Sequence, residues 1–319
     1  MNQLNKEIYR RVCLTHPDIP LFMQHWWMEA ATFNKQWDVL LTYDAQGEVM
    51  AAMPYLLRKK MGMKYIICPQ HTQINGIWTR NDLNEEQRQQ ACDSLILQLN
   101  DMYLAYYYQQ YPLHSEVPEY LRGKGFKIKT RWTYRIDELS NLDAVINKFS
   151  KNKKRQLQKA LSLHADQTLS PEDFYNFHEY TLQERGKSIS YSREHFMQLY
   201  RAAVEHQQGQ IIAIRNPEGT LLAAVFLVWD ATTTYFLIPA HSTTYAATGA
   251  PALMVLEAIK WARGKSVSFD FEGSMIKNIE NSYRQFGATK TYYHSVHRYY
   301  NWLFRFALLY NSIISRKKR

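Results

Sequence analysis

The sequence predicts a mixed α/β fold built from two copies of one unit, and three observations support this prediction. The chain has 319 residues, which is long for one domain and comfortable for two. Its apolar fraction of 46% is enough for sizeable cores. The order helices, three antiparallel strands, helix, strand, helix, strand occurs in the first half and again in the second. We therefore expect tandem domains, each a twisted, mostly antiparallel sheet flanked by helices.

The first half opens with an amphipathic helix. Pro17–Thr32 places apolar side chains on or near one face, and Asp18 is the expected N-cap. Alternation with a period of two then predicts a meander of three strands at 37–43, 48–58 and 64–68. The remaining elements are a helix over 85–101, a strand over 104–109, a short helix over 118–122 and a strand over 126–136.

The second half repeats this order. It begins with a long basic helix over 141–162 and two further helices over 172–185 and 193–206. A second meander follows at 210–215, 221–229 and 234–239. The last elements are a helix opened by Gly249-Ala250-Pro251, a strand over 266–271, a helix over 276–283 and a strand over 291–296. We expect domains at 1–140 and 141–297, with a separate C-terminal segment at 298–319.

Charge, cysteine spacing and hydropathy indicate which partners, metal sites and cellular locations to expect. The chain has 39 basic and 29 acidic residues, a net charge of +10, which favours anionic partners. Its three cysteines show no Cys-x-x-Cys spacing, so we predict no zinc site, no redox motif and no other metal site. The N-terminus has no apolar core typical of a signal peptide, and no apolar run reaches the roughly 20 residues of a membrane span. We therefore expect a cytoplasmic protein.

The stretch from Tyr235 to Pro251 suggests an anion site. An apolar strand runs into a small-residue loop and then into a helix, whose first N–H groups have no partner inside the helix. Pro251 is tolerated there because the first helical turn needs no N–H. Small residues at Ala246, Ala247 and Gly249 would let a phosphate approach the backbone. An ordinary strand–loop–helix crossover is the alternative interpretation.

Two motifs in the second half resemble a known family. They are Phe269-Asp270-Phe271-Glu272-Gly273-Ser274 and Tyr283-Arg284-Gln285-Phe286-Gly287-Ala288. Together they resemble the C-terminal domain of the FemAB-like double acyltransferases, tandem relatives of the Gcn5-related N-acetyltransferases (GNAT). The basic stretch 150–160 and N-terminal segments such as Met53-Pro54-Tyr55 extend the resemblance over nearly the whole chain. Two positions depart from the family pattern: Tyr283 stands where many relatives have Lys, and Gln285 where they have Gly.

The resemblance implies an N-acyltransferase that moves an acyl group, from acyl-CoA, to an amine of a small molecule or cell-envelope precursor. The donor phosphates would lie against the loop after the strand, at Thr244, Ala247, Thr248, Gly249 and Ala250. This loop keeps little of the family's phosphate-binding pattern. An aminoacyl-tRNA donor and a non-catalytic binding module therefore stay open as alternatives. The basic run 148–159 fits either a tRNA backbone or a solvated helix face.

Polar residues at the ends of the two central strands are the candidates for chemistry. Glu272 is the first candidate for general base or amine anchor, with Asp270 beside it and His241 as a proton relay. Each of the three also fits a structural role at a loop or helix end. The substrate-binding candidates are Ser274, Tyr283 and Arg284.

The C-terminal segment 298–319 is aromatic and basic and contains no acidic residue. An apolar helix with basic ends can lie on an anionic membrane surface, which would place the protein peripherally at the inner membrane face. The preferred alternative is a helix packed on the N-terminal domain, as the resemblance implies.

Overall fold

The computed structural model describes residues 3–33, 37–112, 114–273 and 277–306. The helices are α1 (Gln3–Thr15), α2 (His25–Thr32), α3 (Glu85–Asp101), α4 (Val117–Gly123), α5 (Leu142–Asn147), α6 (Lys151–Lys159), α7 (Pro171–Gln183), α8 (Arg193–Glu205), α9 (Ala250–Arg263) and α10 (Lys277–Arg284). The strands are β1 (Trp37–Tyr43), β2 (Val49–Lys60), β3 (Met63–Ile67), β4 (Trp78–Thr79), β5 (Leu104–Pro112), β6 (Lys127–Ile136), β7 (His164–Asp166), β8 (Gly209–Arg215), β9 (Leu221–Trp229), β10 (Thr233–His241), β11 (Ser268–Asp270) and β12 (Thr289–Tyr299).

The chain divides into two compact units. One consists of residues 1–131 and 292–319, and we call it the split unit. The other consists of residues 132–291, and we call it the continuous unit. The predicted assignment of GNAT-like domains to 1–140 and 141–297 stays a prediction.

The split unit contains the first predicted meander. Strands β1, β2 and β3 pair antiparallel in sequence order, which confirms this part of the prediction. β3 then pairs in parallel with β5, and β5 pairs antiparallel with β12. The side chains of α3 that face the sheet, among them Leu95 and Leu99, are fully buried in a core with Tyr107 and Tyr111.

The continuous unit contains the second predicted meander. Strands β7, β8, β9 and β10 pair antiparallel in order, and β10 then pairs in parallel with β11. The crossover between β10 and β11 is α9, because parallel neighbours need a long connection that covers one face of the sheet. The apolar face of α9, with Ala258 and Ile259, packs on β8 and β9 in the largest core. This arrangement leaves the carboxyl end of β11, at Asp270, beside Tyr235 in β10.

Several element boundaries differ from the sequence prediction, each for a local reason. The predicted long helix over 141–162 is two helices, because Ser150 has extended backbone angles and its Oγ caps the N–H of Lys153 at 3.2 Å. Asp18 caps no helix; its Oδ2 accepts hydrogen bonds from Trp78 Nε1 at 2.8 Å and Asn81 Nδ2 at 3.0 Å. Helix α1 and strand β7 were not predicted.

No helix within the described residues is both long and apolar enough to cross a bilayer. The C-terminal segment is described as far as residue 306, so the prediction for 307–319 lies outside the described residues.

Candidate active site

The two central strands of the continuous unit diverge at their carboxyl ends. β10 and β11 pair at three positions, from Thr233 with Ser268 to Tyr235 with Asp270. β10 then continues to His241, whereas β11 ends at Asp270. An irregularity in the pairing of β10 with β9 lies between Tyr235 and Ile238, directly after the last residue that pairs with β11. Beyond Tyr235, backbone groups of β10 therefore lie beside the segment that follows β11.

Asp270 is fixed at the end of β11 by two hydrogen bonds. Its side chain is 2% exposed. Its Oδ1 accepts from the Oγ1 of Thr133 on β6 at 2.5 Å and from the backbone N–H of Glu272 at 2.7 Å. Both donors favour the ionised carboxylate, so Asp270 is arranged to hold a negative charge.

Glu272 has the opposite environment. Its Oε1 is buried and makes no hydrogen bond to any residue that the structure describes. Burial, followed by the negative charge of Asp270, raises the pKa of Glu272 well above its ordinary value. Of the two carboxyl groups, Glu272 is therefore the one that holds a proton more readily, and Asp270 is the one whose hydrogen bonds favour the charge.

The backbone at Glu272 is strained. Its φ is 57°, in the left-handed region that a residue with a side chain adopts at a cost of roughly 1 kcal/mol or more. Gly273 also has a positive φ of 44°, and a Cβ there would lie 2.8 Å from the carbonyl oxygen of Trp132. The chain thus turns sharply against β6 immediately after β11, and this turn directs the Glu272 carboxyl into a buried position.

Tyr283 on α10 completes the cluster around the acid pair. Its ring stacks on Phe271, with centroids 4.4 Å apart. Burial, then the charges of Glu272 and Asp270, raise the pKa of the Tyr283 hydroxyl, which therefore stays a proton donor. The structure thus brings together three of the predicted residues, Asp270, Glu272 and Tyr283. Ser274 lies outside the described residues, and Arg284 is exposed at the end of α10.

Lys153 is a buried cation that sequence reasoning missed. It is 7% exposed, its Nζ donates to the Oγ of Ser282 at 3.1 Å, and it lies 4.5 Å from the ring centroid of Phe286. Within the described parts of the chain no carboxylate forms an ion pair with it, and burial lowers the pKa of its amine. The signal was present: Phe149, Lys153 and Leu157 recur at helical spacing on the apolar side of a basic segment.

The loop after β10 is held by a carboxylate that the sequence analysis also missed. Glu184, at the end of α7, accepts hydrogen bonds from Ser242 Oγ at 2.9 Å, from the backbone N–H of Thr243 at 2.9 Å and from Thr244 Oγ1 at 3.1 Å. Partial burial works to raise the pKa of Glu184, but these hydrogen bonds outweigh it and lower the pKa to about 2. We call this set of contacts the Glu184 clamp.

The rest of the predicted phosphate loop is also bonded internally. The N–H groups of Ala246 and Thr248 bond to the carbonyls of Thr243 and Tyr245, and the N–H of Ala250 bonds to Thr248 Oγ1 at 3.3 Å. Gly249 has a φ of 86°, and a Cβ there would lie 2.1 Å from the Gln156 carbonyl oxygen of α6. Because Gly249 has no side chain, the backbone of α6 can pack directly against the loop at this position.

The remaining predicted phosphate contacts and His241 are placed as follows. Thr244 and Ala247 are exposed, and Ala250 is fully buried. Partial burial and the charge of Arg185 lower the pKa of His241 to about 4, so the ring is neutral at physiological pH. Arg185 Nη2 also donates to the His241 carbonyl at 2.8 Å. The roles predicted for these residues stay predictions.

The chemistry available at this site is proton transfer between carboxyl groups and hydrogen bonding by backbone and hydroxyl groups. Across the described ranges no three His, Cys, Asp or Glu side chains are grouped to hold a metal ion.

Comparison with known proteins gives one family match. Residues 146–278 match the family described as the acetyltransferase (GNAT) domain. These residues include α6, the Glu184 clamp, both diverging strands and the acid pair. No curated protein matches the sequence.

Solved structures show what the fold is similar to over most of the chain. The crystal structure of FemX is 14% identical, with 92% of this chain and 95% of that chain covered and a TM-score of 0.68. The C-terminal domain of a putative lysylphosphatidylglycerol synthetase from Agrobacterium fabrum is 10% identical, with 92% of each chain covered and a TM-score of 0.58. A tandem GNAT protein from the clavulanic acid biosynthesis pathway is 8% identical, with 92% and 93% covered and a TM-score of 0.51.

These likenesses confirm the predicted fold class of tandem GNAT-like units. The family match and the fold together support an acyltransferase. Residues 146–278 thus carry an acetyltransferase (GNAT) domain, and the fold of the chain is similar to that of FemX.

Proposed function

We propose that the chain is an N-acyltransferase that transfers an acyl group to an amine at the diverging ends of β10 and β11. The observation that carries the proposal is the buried pair Asp270 and Glu272, in which Asp270 accepts two hydrogen bonds and the buried Oε1 of Glu272 accepts none from the described residues. N-acyl transfer needs both a proton donor and a proton acceptor at one place, because the amine loses a proton while the leaving group gains one.

The pair can serve both steps without a net change in its protons. The amine nitrogen forms a bond to the acyl carbon, and the bond from that carbon to the leaving sulfur or oxygen breaks. Glu272 donates its proton to the leaving atom and then takes a proton from the new amide nitrogen. Asp270 keeps its charge through Thr133 and accepts a hydrogen bond from the neutral amine before reaction. Glu272 must therefore donate a proton before it can act as the base that the sequence suggested.

For the donor, we propose acyl-CoA, which would supply an activated thioester carbonyl. The stretch of β10 from Phe236 to Ala240, which lies beyond the residues paired with β11, offers backbone groups to an extended donor arm. The loop at 242–250 fits a diphosphate less well, because the Glu184 clamp and the internal bonds already occupy several of its donors. Diphosphate binding there would need this loop to rearrange.

Aminoacyl-tRNA is a second candidate donor, and the surface of α6 favours it. Lys151, Lys154, Arg155 and Lys159 are all exposed on this helix, which packs on the loop at Gly249. A row of exposed cations beside the site can contact a phosphate backbone without using the clamped loop. The acceptor we propose for either donor is an amine of a small molecule or cell-envelope precursor, handled in the cytoplasm or at the inner membrane face.

The first test is calorimetric titration of the whole protein with acetyl-CoA, CoA and uncharged tRNA, each at low and moderate salt. Saturable CoA binding supports the acyl-CoA donor and justifies a screen of amines. Tight tRNA binding that weakens steeply with salt, without CoA binding, supports the second donor. If neither binds, the proposal fails and a non-catalytic binding module becomes the better interpretation.

A further inference from the structure

Five large apolar side chains are exposed together at one end of the split unit. Met61 is 78% exposed, Tyr103 86%, Trp302 67%, Leu303 54% and Phe306 61%. We call these five residues the apolar rim. Single exposed apolar residues are ordinary on protein surfaces, but a group of this size marks an interaction site.

Three chain segments bring the rim together. Met61 lies in the turn between β2 and β3, and Tyr103 lies in the turn between α3 and β5. Lys64 of β3 pairs with Leu104 of β5, and the N–H of Asn301, the residue before Trp302, bonds to the Ala105 carbonyl at 3.2 Å. The same segments line a cavity of about 660 Å³. Tyr103 lines this cavity, and Met61 and Trp302 are each the chain neighbour of a residue that lines it, Gly62 and Asn301.

The segment that carries Trp302, Leu303 and Phe306 is anchored in the split unit. Phe304 is 1% exposed, and its ring centroid lies 5.1 Å from that of Tyr65 and 6.1 Å from that of Tyr106. Residues 302–306 are helical, so burial of Phe304 directs its neighbours outward. The exposed rings are consequently a fixed feature of the surface.

Two rim residues lie where the backbone disfavours them. Met61 has a φ of 51° and Tyr103 a φ of 50°, and both are exposed turn positions. Gly or Asn adopts these angles more readily, and turns ordinarily carry polar side chains. A bulky apolar residue at such a position gains nothing from the local fold. Met61 and Tyr103 are therefore better explained by contact with another molecule than by the stability of the fold.

Cations surround the rim. Lys59 and Lys60 precede Met61, Lys64 follows it, and the exposed Arg305 lies between Leu303 and Phe306. Asp101 is the acid nearest in sequence to Tyr103. Aromatic and aliphatic side chains interleaved with lysines suit the boundary between lipid headgroups and acyl chains, whereas the centre of a protein–protein interface is depleted of lysine.

We propose that the apolar rim is a docking surface for an anionic lipid bilayer. The five apolar side chains enter the interface between headgroups and acyl chains, and the four cations contact lipid phosphates. The proposal uses no part of the acyl-transfer site, and its test needs no donor, so it stands or falls independently of the proposed function.

The test is co-sedimentation of the full chain with phosphatidylcholine vesicles, with and without phosphatidylglycerol. We expect binding to the mixed vesicles that weakens with salt. A rim variant with Met61→Ser, Tyr103→Ser, Trp302→Ser and Phe306→Ser should lose nearly all binding. Replacing Lys59, Lys60 and Lys64 by Gln should weaken it roughly fivefold per lysine. The matched control is Leu4→Ser with Leu14→Ser, which are 67% and 79% exposed on α1.

Each other outcome overturns the proposal, provided that thermal unfolding shows all variants folded. Binding that the rim variant retains, but that removal of residues 307–319 abolishes, would assign the membrane contact elsewhere. Failure of the parent protein to bind mixed vesicles would exclude the lipid surface. In that case a dimer that the rim variant dissociates, seen by light scattering, would assign the rim to a second copy of the chain.

Discussion

The backbone N–H of Glu272 donates to Oδ1 of Asp270 at 2.7 Å, so a main-chain contact joins the two acidic residues. The contact stabilises the charge on Asp270, and burial together with that charge raises the pKa of Glu272. One residue thus supports the ionisation of its neighbour and, as a result, keeps its own proton. This asymmetry makes distinct predictions for the two carboxyl groups.

Glu272→Gln should lower the rate of acyl transfer roughly a hundredfold or more while donor and acceptor binding change little. Glutamine has the shape of a protonated glutamate but cannot release its proton to the leaving group. The measurement is kcat and KM with the donor that binds by calorimetry. Glu257→Gln, which removes an exposed ion pair with Lys260 on α9, is the matched control. Near-normal turnover of the Glu272→Gln variant would exclude Glu272 from proton transfer.

The same substitution should change how stability depends on pH. The pKa of Glu272 is raised in the folded state, so its contribution to stability is fully present below the unfolded value near 4.5 and is lost as the pH rises toward the folded pKa. Over that range the wild type should lose about 1.4 kcal/mol of unfolding free energy per pH unit relative to Glu272→Gln. Urea unfolding of both proteins from pH 4 to pH 8 tests this. Parallel pH profiles would contradict the buried, protonated state.

Glu184→Gln should loosen the loop at 242–248. The pKa of Glu184 is about 2, so its stabilising contribution is present above the ordinary value and is lost as the pH falls toward 2. The Glu184 carboxylate accepts three hydrogen bonds, whereas the glutamine amide has a single, uncharged oxygen acceptor. Amide hydrogen exchange should become faster at Thr243, and acetyl-CoA should bind more tightly once the loop donors are free. Glu179→Gln on the same helix is the control, and unchanged exchange would show that the clamp does not hold the loop.

Gly249→Ala should destabilise the protein by about 2 to 4 kcal/mol. The new Cβ would meet the Gln156 carbonyl oxygen, and the φ of 86° disfavours any residue with a side chain. Gly264→Ala at the other end of α9 is the control, because its φ is −86° and the nearest atom to a Cβ there is 3.8 Å away. Equal midpoints for the two variants in thermal unfolding would contradict the tight contact between α6 and the loop.

The fold class could be predicted because hydrophobic periodicity and element order depend on local sequence. Both meanders and the helix between β10 and β11 follow from such patterns. The acid pair was also accessible, since Asp270 and Glu272 directly follow an apolar strand. Their difference in protonation was not, because it depends on Thr133, a residue more than a hundred positions earlier in the chain.

Residues missed by the sequence analysis have partners that are distant in sequence. Glu184 resembles any exposed acid at a helix end until the fold brings Ser242 and Thr243 to it. Lys153 resembles its basic neighbours until Ser282 and Phe286 enclose it. Periodicity could have indicated that Lys153 faces inward, but no local pattern specifies what encloses a side chain.

The split unit is made from two separate pieces of the chain, and this has a consequence for synthesis on the ribosome. During synthesis one edge of β5 stays unpaired until β12 has been made, because β12 pairs with β5 from Tyr293 to Tyr299. Until then, apolar side chains such as Tyr107 and Tyr111 lack the buried Val296 as a neighbour. The continuous unit is complete as soon as residue 291 has emerged. We therefore expect the second unit in sequence order to reach its native state first, and the nascent first unit to be the part that chaperones must protect.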